Sequence, residues 1–475
     1  MKKSILFLLP FVVGATTLLT SCGSTKNDEN TLNVICLNAG WGAEWIQEAV
    51  KIWEKQNPDY KVNLNATRDA KSLITGNIYK SGNVDDVYIS IGSDWKRYAG
   101  GGRLLELDDL MNETIDGVLV KDKINNEYKN SIYFKNQAGE THTYRLPWTS
   151  GIGGIYYNKK MFRDNNWEVP TTYEELVDLC EQIIDEAVMV GDDPSETVYP
   201  FSYTGANTDY FDYTVFTWWS QISGVDAITE FKKYTKESKD NFRADNPTYA
   251  GLKKATEMWN DLFGKNGIHG KVADQEDISR DNHTAQKNFL NGKAAMMFNG
   301  DWVYNEMLQY STTHTLPANF ELGIMDTPAL STAQYKGSGY IIGEDQYIAI
   351  PKSTIKPELA KSFVKTLMSD QVIKTFSEKA HGLLAFKLSN DQKFTTSDPF
   401  VNSLLEYRSK LTSTFTNFSS SPLFLNGYVD FWGASNGRPF LSLINGTSAT
   451  VDKAFESITA EVNRQWSTWC NNSGM

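Results

Sequence analysis

Cysteine and histidine are scarce in this chain of 475 residues, which has four cysteines and five histidines. None of the histidines stands near a cysteine or another histidine at a zinc-ligand spacing, so we expect no metal site. Apart from Cys22, the cysteines are Cys36, Cys180 and Cys470. Cys36 lies in an apolar, strand-like run and Cys180 on the apolar face of a predicted helix. These positions favour buried free thiols over a disulfide framework.

The short motifs of common enzymes are missing as well. GxSxG, HExxH and GxxxxGK[ST] do not occur, and Gly151-Ile152-Gly153-Gly154 lacks the third glycine of a dinucleotide-binding loop. We therefore expect no catalytic residue and no cofactor. Spacing alone leaves one enzymatic alternative open, because Glu44, Asp94 and Asp301 include pairs that could act as the two carboxylates of a glycosidase.

Positive charge is in deficit. The chain has 46 lysines and arginines against 58 acidic residues, a formal net charge of −12, and its basic residues do not cluster. A surface of this kind repels nucleic acid, because phosphate binding depends on basic groups that displace counterions. We expect no nucleic-acid partner, and the acidity favours neutral or cationic ligands.

Long apolar runs are limited to the N-terminus. Lys2 and Lys3 precede an apolar run from Ile5 to Leu19, which is too short to cross a bilayer core of about 30 Å at about 1.5 Å per helical residue. This pattern predicts a signal peptide over residues 1–21. Leu19-Thr20-Ser21-Cys22 resembles the bacterial lipobox, which implies lipidation of Cys22 and an anchor on the extracytoplasmic face of the cell membrane. The alternative is an ordinary secretory peptide with an incidental cysteine.

The mature chain is long enough for two domains, and its start alternates strands with helices. The polar residues 22–30 read as a flexible tether. Apolar runs then predict strands at Leu32–Leu37, Lys61–Leu64 and Val87–Ile91, with a helix that ends at Asn57-Pro58. Strands separated by helices form parallel sheets whose carboxyl-end loops gather at one edge, where ligands bind.

Later segments continue the α/β pattern. A glycine-rich stretch beginning at Leu146 reads as a hinge that enters a strand, and Thr171 to Glu174 resembles a capping box. The helix after it buries Leu176, Cys180, Ile183 and Ala187 on one face. Further predictions are strands at Ala294–Phe298 and Gln346–Ile350, a helix from Pro357, and a C-terminal helix from about Ala449.

Several of these segments resemble, in family order, the extracellular solute-binding proteins of bacterial ABC importers, family 1, which includes maltose-binding protein. The resemblance rests on WIQEAVKIWEKQNPDYKV, DDVYIS, GGIYYNKKMFRDNNWEVPTTYEELVDLCEQI, FLNGKAAMMFNGDW and YIAIPKSTIKPELAKSFVKTLMSDQ. It implies an α/β, two-lobed periplasmic-binding-protein-like fold with three hinge crossings and a ligand cleft between the lobes. The implied lobes are residues 31–150 plus 346–390 and residues 151–345 plus 391–475, with the least certain match over 385–445.

The resemblance implies a carbohydrate ligand, ABC permease subunits as partners, and a monomer. Aromatic residues make up 13% of the chain, and several stand beside predicted strand ends. Indole and phenol rings stack on the apolar face of a pyranose, while carboxylates and amides bind its hydroxyls. The predicted ligand-binding residues are Trp41, Glu44, Asp94, Trp95, Trp148, Trp218, Asn299, Asp301, Trp302, Tyr340 and Trp432, of which the resemblance also marks Asp94 and Trp302.

Each of these residues has an ordinary structural alternative. A tryptophan is as often a core residue as a ligand contact, and Asp301 could cap the helix that follows it. At the level of the whole protein, the alternatives to a transport subunit are a surface glycan-active enzyme and an adhesin that holds a glycan or a peptide.

Overall fold

Two separate β-sheets organise the chain. The structure is a computed structural model, and it describes residues 28–475 except 130, 137, 192, 344–345, 390–393, 417–418 and 433–437. The predicted signal peptide, the lipidation site at Cys22 and most of the tether lie outside the described residues.

The helices and strands follow one another in four stretches of chain. Residues 31–143 form β1 (Thr31–Leu37), α1 (Glu44–Gln56), β2 (Lys61–Thr67), α2 (Ala70–Asn77), β3 (Val87–Ile91), α3 (Asp94–Gly100), α4 (Asp108–Met111), β4 (Thr114–Ile115), β5 (Val118–Leu119), α5 (Val120–Lys123), β6 (Tyr133–Lys135) and β7 (Thr141–Thr143). Residues 151–342 form β8 (Gly151–Asn158), α6 (Lys159–Asn165), α7 (Tyr173–Glu186), β9 (Met189–Val190), β10 (Asp193–Thr197), β11 (Tyr199–Ser202), α8 (Asp212–Ser223), α9 (Val225–Phe231), α10 (Pro247–Phe263), α11 (Asn282–Leu290), β12 (Ala294–Gly300), α12 (Val303–Tyr310), β13 (Leu322–Met325) and β14 (Ser338–Ile342). Residues 346–380 form β15 (Gln346–Ala349), α13 (Pro357–Leu367) and α14 (Asp370–Ala380). Residues 399–472 form α15 (Pro399–Lys410), β16 (Ser413–Phe415), α16 (Pro422–Leu425), α17 (Arg438–Ile444) and α18 (Val451–Asn472).

The strands of the described residues pair into one mainly parallel sheet, one mixed sheet and three two-stranded sheets, β4-β5, β6-β7 and β10-β9. The first has the order β15-β3-β1-β2, in which β1 is parallel to β2 and β3, and β15 is antiparallel to β3. The second has the order β11-β12-β8-β14-β16, and β13 also pairs with β8. We call the part of the chain built on the first sheet the N-terminal lobe and the part built on the second the C-terminal lobe. The predicted strands and helices are confirmed in both.

Three crossings connect the lobes. Leu146 bridges Ile348 beside the first sheet, whereas Gly151 already pairs with Ile342 of β14 in the second. The chain returns between β14 and β15. It crosses a third time after Phe386, which bridges Ile124, because α15 packs against β13 of the C-terminal lobe. The exact lobe boundaries given above remain a prediction.

Polar contacts hold the first two crossings together. The hydroxyl of Tyr128 donates to the Ser150 hydroxyl at 3.1 Å and lies 3.0 Å from the carbonyl oxygen of Ile342. The guanidinium of Arg408, on α15, donates to Ser150 and pairs with the carboxylate of Glu127. These contacts fix the crossing strands beside the N-terminal lobe.

The hydrophobic core is continuous between the lobes. One cluster of buried residues contains Trp53 and Phe363 of the N-terminal lobe together with Tyr156, Met297 and Phe400 around one face of the second sheet. A second cluster fills the other face of that sheet, beneath α8 and α10. The lobes are therefore packed against each other in this structure. In the described part of the chain, no helix combines the length and apolar character needed to cross a bilayer.

The buried cysteines agree with the sequence-based prediction, and the ends of helix α7 differ from it by one residue. Cys36, Cys180 and Cys470 are buried free thiols, as predicted. The capping box is present one residue later than expected, with Thr172 as N-cap and Glu175 as its partner. Helix α7 ends at Glu186, so Ala187 is not on its buried face but is the C-cap, in the left-handed conformation with φ 47°.

We expect Ala187→Gly to stabilise the protein. An alanine in the left-handed region is strained by its Cβ, and glycine removes that strain, so the free energy of unfolding should rise by about 1 kcal/mol. Urea unfolding followed by circular dichroism would measure it. Ala460→Gly, in the exposed interior of α18, is the matched control and should lower stability by about 1 kcal/mol. Destabilisation by both changes would contradict the assignment of strain to Ala187.

Candidate binding site between the lobes

Loops at the facing edges of the two sheets meet between the lobes. Trp41 follows β1, and Asp301 and Trp302 follow β12. The ring centroids of Trp41 and Trp302 are 5.4 Å apart with the planes nearly perpendicular. The side-chain amide of Asn305, on α12, donates to the carbonyl of Gly40 at 2.8 Å. We call this contact zone, from Gly40 and Trp41 on one side to Asp301 through Asn305 on the other, the interlobe seam.

Glycines allow the close approach of the lobes in this seam. A Cβ on Gly40 would lie 2.6 Å from the Cβ of Trp302. A Cβ on Gly382, in the loop after α14, would lie 2.7 Å from Nε1 of Trp41 and 3.1 Å from Oδ2 of Asp301. The distances of 2.6 Å and 2.7 Å are shorter than real Cβ atoms show, so these two positions accept only glycine in the arrangement seen.

Asp301 is the buried carboxyl of the seam. It is fully buried, and its Oδ1 accepts a hydrogen bond from the backbone N–H of Ile152 at 3.3 Å. Trp302 is the N-cap of α12, so Asp301 does not cap that helix and instead reaches across to the first crossing strand. Among the described residues, neither Oδ2 of Asp301 nor Nε1 of Trp41 has a hydrogen-bond partner of acceptable geometry.

Burial controls the titration of this group. It raises the pKa of Asp301 to about 7, because the charged form loses its hydration, and the N–H groups of Ile152 and Trp41 only partly oppose the shift. The proximity of the Trp41 indole thus favours the charged form without reaching hydrogen-bond geometry.

Three tyrosines extend the aromatic surface beside Trp302. Tyr210, in the 3-10 turn before α8, and Tyr213, in the first turn of α8, have ring centroids 6.3 Å and 6.0 Å from that of Trp302. The ring centroid of Tyr340 lies 5.2 Å from that of Tyr213. The sequence analysis missed Tyr210 and Tyr213. The signal was present, since TDYFDY combines acidic and aromatic residues a few residues after β11, but the same motif is equally typical of the start of an apolar helix.

The carboxyl of Asp209 adds a polar group next to these rings. Burial raises its pKa, and Asp430 raises it further. Its Oδ1 has no hydrogen-bond partner within the part of the chain that the structure describes. A second carboxyl oxygen without a hydrogen-bond partner among the described residues, Oδ1 of Asp209, therefore borders the aromatic surface.

Other predicted site residues lie near the seam in supporting positions. Trp148 stacks on Trp45 at 5.5 Å, meets Trp41 edge-on at 5.6 Å, and donates its indole N–H to the carbonyl of Ser90, so it forms the floor beneath Trp41. Asn299 is buried in β12, where its side-chain oxygen accepts from the N–H of Gly300.

The other predicted acids are placed differently from Asp301. Asp94 begins α3 and pairs with Lys71 at 3.3 Å and Arg97 at 2.9 Å. Glu44 is exposed in the first turn of α1. Asp301 alone among the three predicted acids is buried in the seam, so the structure gives no support to the paired carboxylates of a glycosidase.

Three of the tryptophans predicted to stack on a sugar lie in the lobe cores instead of the seam. Trp95 is buried against Phe134 and the Arg145 guanidinium. Trp218 donates to the carbonyl of Pro328 and packs on Tyr173. Trp432 is buried among Phe216, Phe431 and Phe455. Each indole packs against side chains of its own lobe. We leave these three residues out of the proposed site.

A histidine and two acids converge away from the seam. Ligand atoms of Glu106, Asp108 and His142 lie within 4.8 Å of one another, a proximity that the sequence did not reveal. Asp108 hydrogen-bonds to the ring of His142 at 2.6 Å and raises its pKa. The three side chains therefore form a hydrogen-bonded cluster outside the seam.

The arrangement of the two lobes defines a class of protein. Two α/β lobes, joined by three crossings and meeting through their strand-end loops, are the architecture of a hinged, two-lobed binding protein. A family model described as bacterial extracellular solute-binding protein matches residues 39–374. The chain belongs to this family, which makes it a binding protein rather than an enzyme.

Relatives cover nearly the whole chain. The multiple sugar-binding protein of Streptococcus mutans is 24% identical over 467 residues, which are 95% of this chain and 97% of the relative. Two solved structures share the fold. Apo RafE from Streptococcus pneumoniae has a TM-score of 0.66 at 17% identity and covers 92% of this chain and 97% of its own. An ABC substrate-binding protein of Listeria monocytogenes, solved with cycloalternan, has a TM-score of 0.63 at 18% identity and covers 92% and 99%.

We expect Asp301→Asn to flatten the pH dependence of stability. A carboxyl whose pKa is raised from 3.8 to about 7 holds its proton more tightly when folded, so its stabilisation is complete below about pH 3.8 and is lost as the pH rises to about 7. At about 1.4 kcal/mol per pKa unit, the loss is on the order of 4 kcal/mol. Denaturant unfolding of both proteins from pH 4 to pH 8 measures the difference. The exposed Asp226→Asn is the control and should retain the wild-type profile; parallel profiles for wild type and Asp301→Asn would show that burial does not control this carboxyl.

Proposed function

We propose that this protein is the carbohydrate-binding component of an ABC importer, and that it holds its sugar between the lobes at the interlobe seam. The observation that supports the proposal most directly is the combination of Trp41 and Trp302 with the buried carboxyl of Asp301. The sugar-binding relative aligned over 95% of this chain supports the same ligand class.

The groups in the seam match the surface of a sugar ring. A pyranose presents an apolar face of C–H groups, which stacks on an indole, and a rim of hydroxyls, which hydrogen-bond to carboxylates. Trp302, Tyr210 and Tyr213 supply ring surface. Asp301 and Asp209 supply acceptors whose pKa is raised by burial, and such acceptors gain most from a hydroxyl that donates to them.

Ligand-driven closure follows from the way the site is divided. Trp41 comes from the N-terminal lobe and Trp302 from the C-terminal lobe, so a sugar that contacts both favours the state in which the lobes meet. The shift in population is set by the difference in affinity between the open and closed states. The closed form is then the one that docks on the membrane permease.

The anchor proposal rests on the sequence of the N-terminus. Lipidation of Cys22 would hold the mature protein on the extracytoplasmic face of the cell membrane, with residues 22–30 as a tether. Two or more acyl chains are needed for stable anchoring, since a single chain binds reversibly.

Trp302→Ala should weaken sugar binding. Removal of the indole deletes the stacking surface on the C-terminal lobe, and we expect at least a tenfold loss of affinity, which corresponds to about 1.4 kcal/mol. Isothermal titration calorimetry with sugars that bind the wild type would measure it. Trp302→Phe keeps a ring and should lose less, and Tyr335→Ala, an exposed aromatic outside the seam, should lose nothing. Full affinity in a folded Trp302→Ala protein would place the sugar elsewhere.

Cys22→Ser should release the protein from membranes. Serine cannot form the thioether that carries the lipid, so we expect the mature chain in the soluble extracytoplasmic fraction. Fractionation of cells followed by immunoblotting measures the distribution, with Cys470→Ser as a cysteine control that should stay membrane-bound. Membrane retention of Cys22→Ser would favour the ordinary secretory alternative with a different means of attachment.

A further inference from the structure

Two carboxylates and an imidazole meet on the N-terminal lobe, outside the interlobe seam. Glu106 and Asp108 belong to the segment that begins α4, and His142 lies in β7. Oδ2 of Asp108 is 2.6 Å and Oε2 of Glu106 is 3.9 Å from Nδ1 of His142. We call these three side chains the hairpin cluster, because His142 is part of the β6-β7 hairpin.

The separations in the hairpin cluster suit a shared metal ion. Zinc binds nitrogen and oxygen ligands at about 2.0–2.2 Å in a tetrahedral arrangement, which puts two of its ligands about 3.4 Å apart. The observed distances of 2.6 Å and 3.9 Å lie on either side of that value. Side-chain shifts of less than about 1 Å would therefore place all three ligand atoms around one ion.

Contacts outside the cluster hold the two carboxylates in place. The backbone N–H of Leu107 donates to the carbonyl of Thr143 at 2.8 Å, and the N–H of Thr143 donates to Oδ1 of Asp108 at 3.0 Å. The hydroxyl of Tyr144 donates to Oε1 of Glu106 at 3.2 Å. One oxygen of each carboxylate is thus held by a donor that is not a ligand, and the other faces the imidazole. Outer contacts of this kind orient metal ligands.

The second nitrogen of the imidazole faces another carboxylate. Nε2 of His142 lies 3.7 Å from Oε2 of Glu140. A histidine that binds a metal through one nitrogen commonly donates the N–H of the other to a carboxylate, which fixes the orientation of the ring. This arrangement around a histidine distinguishes the hairpin cluster from an ordinary group of surface acids.

The ligand types favour zinc over magnesium and calcium. Magnesium and calcium take oxygen ligands, whereas an imidazole combined with carboxylates suits zinc and neighbouring transition metals. The side chain of His142 is 25% exposed and that of Asp108 is 45% exposed, so an ion can reach the cluster from solvent. The net charge of −12 attracts cations to this surface.

We propose that Glu106, Asp108 and His142 bind one divalent transition-metal ion, for which zinc is the best fit, with Glu140 positioning the imidazole. The ion joins β7 to the segment that begins α4 and stabilises the N-terminal lobe. The spacing of histidines and cysteines could not indicate this site, because Asp108 and His142 are 34 residues apart in the chain.

Zinc titration tests the proposal. Isothermal titration calorimetry of the untagged, chelator-treated mature protein with zinc at neutral pH should show one site per chain. His142→Ala and Asp108→Asn each weaken a ligand, and each should lower zinc affinity at least tenfold. His314→Ala changes an exposed histidine outside the cluster and should keep the wild-type affinity. Circular dichroism checks that each variant is folded, and Glu106→Gln replaces any that is not.

Metal selectivity gives a second readout. Magnesium and calcium should bind at least tenfold more weakly than zinc. Glu140→Gln keeps all three ligands and should weaken zinc binding less than His142→Ala does. A wild-type protein that does not bind zinc, or zinc affinity that is unchanged in the folded ligand variants, overturns the proposal and leaves the cluster as a hydrogen-bonded group. Neither result bears on the proposed function, because the hairpin cluster shares no residue with the interlobe seam.

Discussion

The burial of one carboxyl between two lobes governs the arrangement of the binding region. Asp301 has no cationic partner among the described residues that surround it, and its Oδ1 accepts a hydrogen bond from the backbone N–H of Ile152 in the first crossing strand. A buried, poorly compensated carboxyl destabilises the closed arrangement unless it is protonated or receives another hydrogen bond. The protonation of this one group is thus coupled to the packing of the lobes against each other.

The aromatic packing offsets part of that cost. Trp41 contacts Trp302 across the seam and Trp148 beneath it, and aromatic pairs at such distances contribute about 0.5–1.5 kcal/mol each beyond their burial. Gly40 and Gly382 lack a Cβ, so the backbone at these positions can approach the rings of Trp302 and Trp41 closely. The rings that meet across the seam are the ones that the proposed sugar would contact between the lobes.

Local sequence patterns predicted the helices and strands well, but they predicted only some of the side-chain contacts. Periodicity located β1, α1 and α18, because alternation and helical spacing record which face is buried. Trp302 could be expected at the seam because it directly follows a buried strand. Trp95, Trp218 and Trp432 could not be sorted in the same way, since whether an indole turns inward depends on Phe134, Tyr173 or Phe455, each far away or on another element. The contact of Asp301 with Ile152 joins residues from distant parts of the chain, which no local pattern records.

The proposed closure on a sugar would explain why the seam and its border retain polar atoms that have no hydrogen-bond partner among the described residues. An unmade hydrogen bond at a buried acceptor costs about 1–3 kcal/mol, and Asp301 and Asp209 each present such an atom within the described structure. A site that satisfied these atoms internally would close equally well without ligand, and its affinity would then carry no preference for the closed state. Hydroxyl groups that donate to these carboxyls would remove the penalty only when the lobes meet. In the proposed function, the unsatisfied acceptors and the division of the indoles between the lobes thus have the same effect. Both make closure depend on a ligand that lies between the lobes.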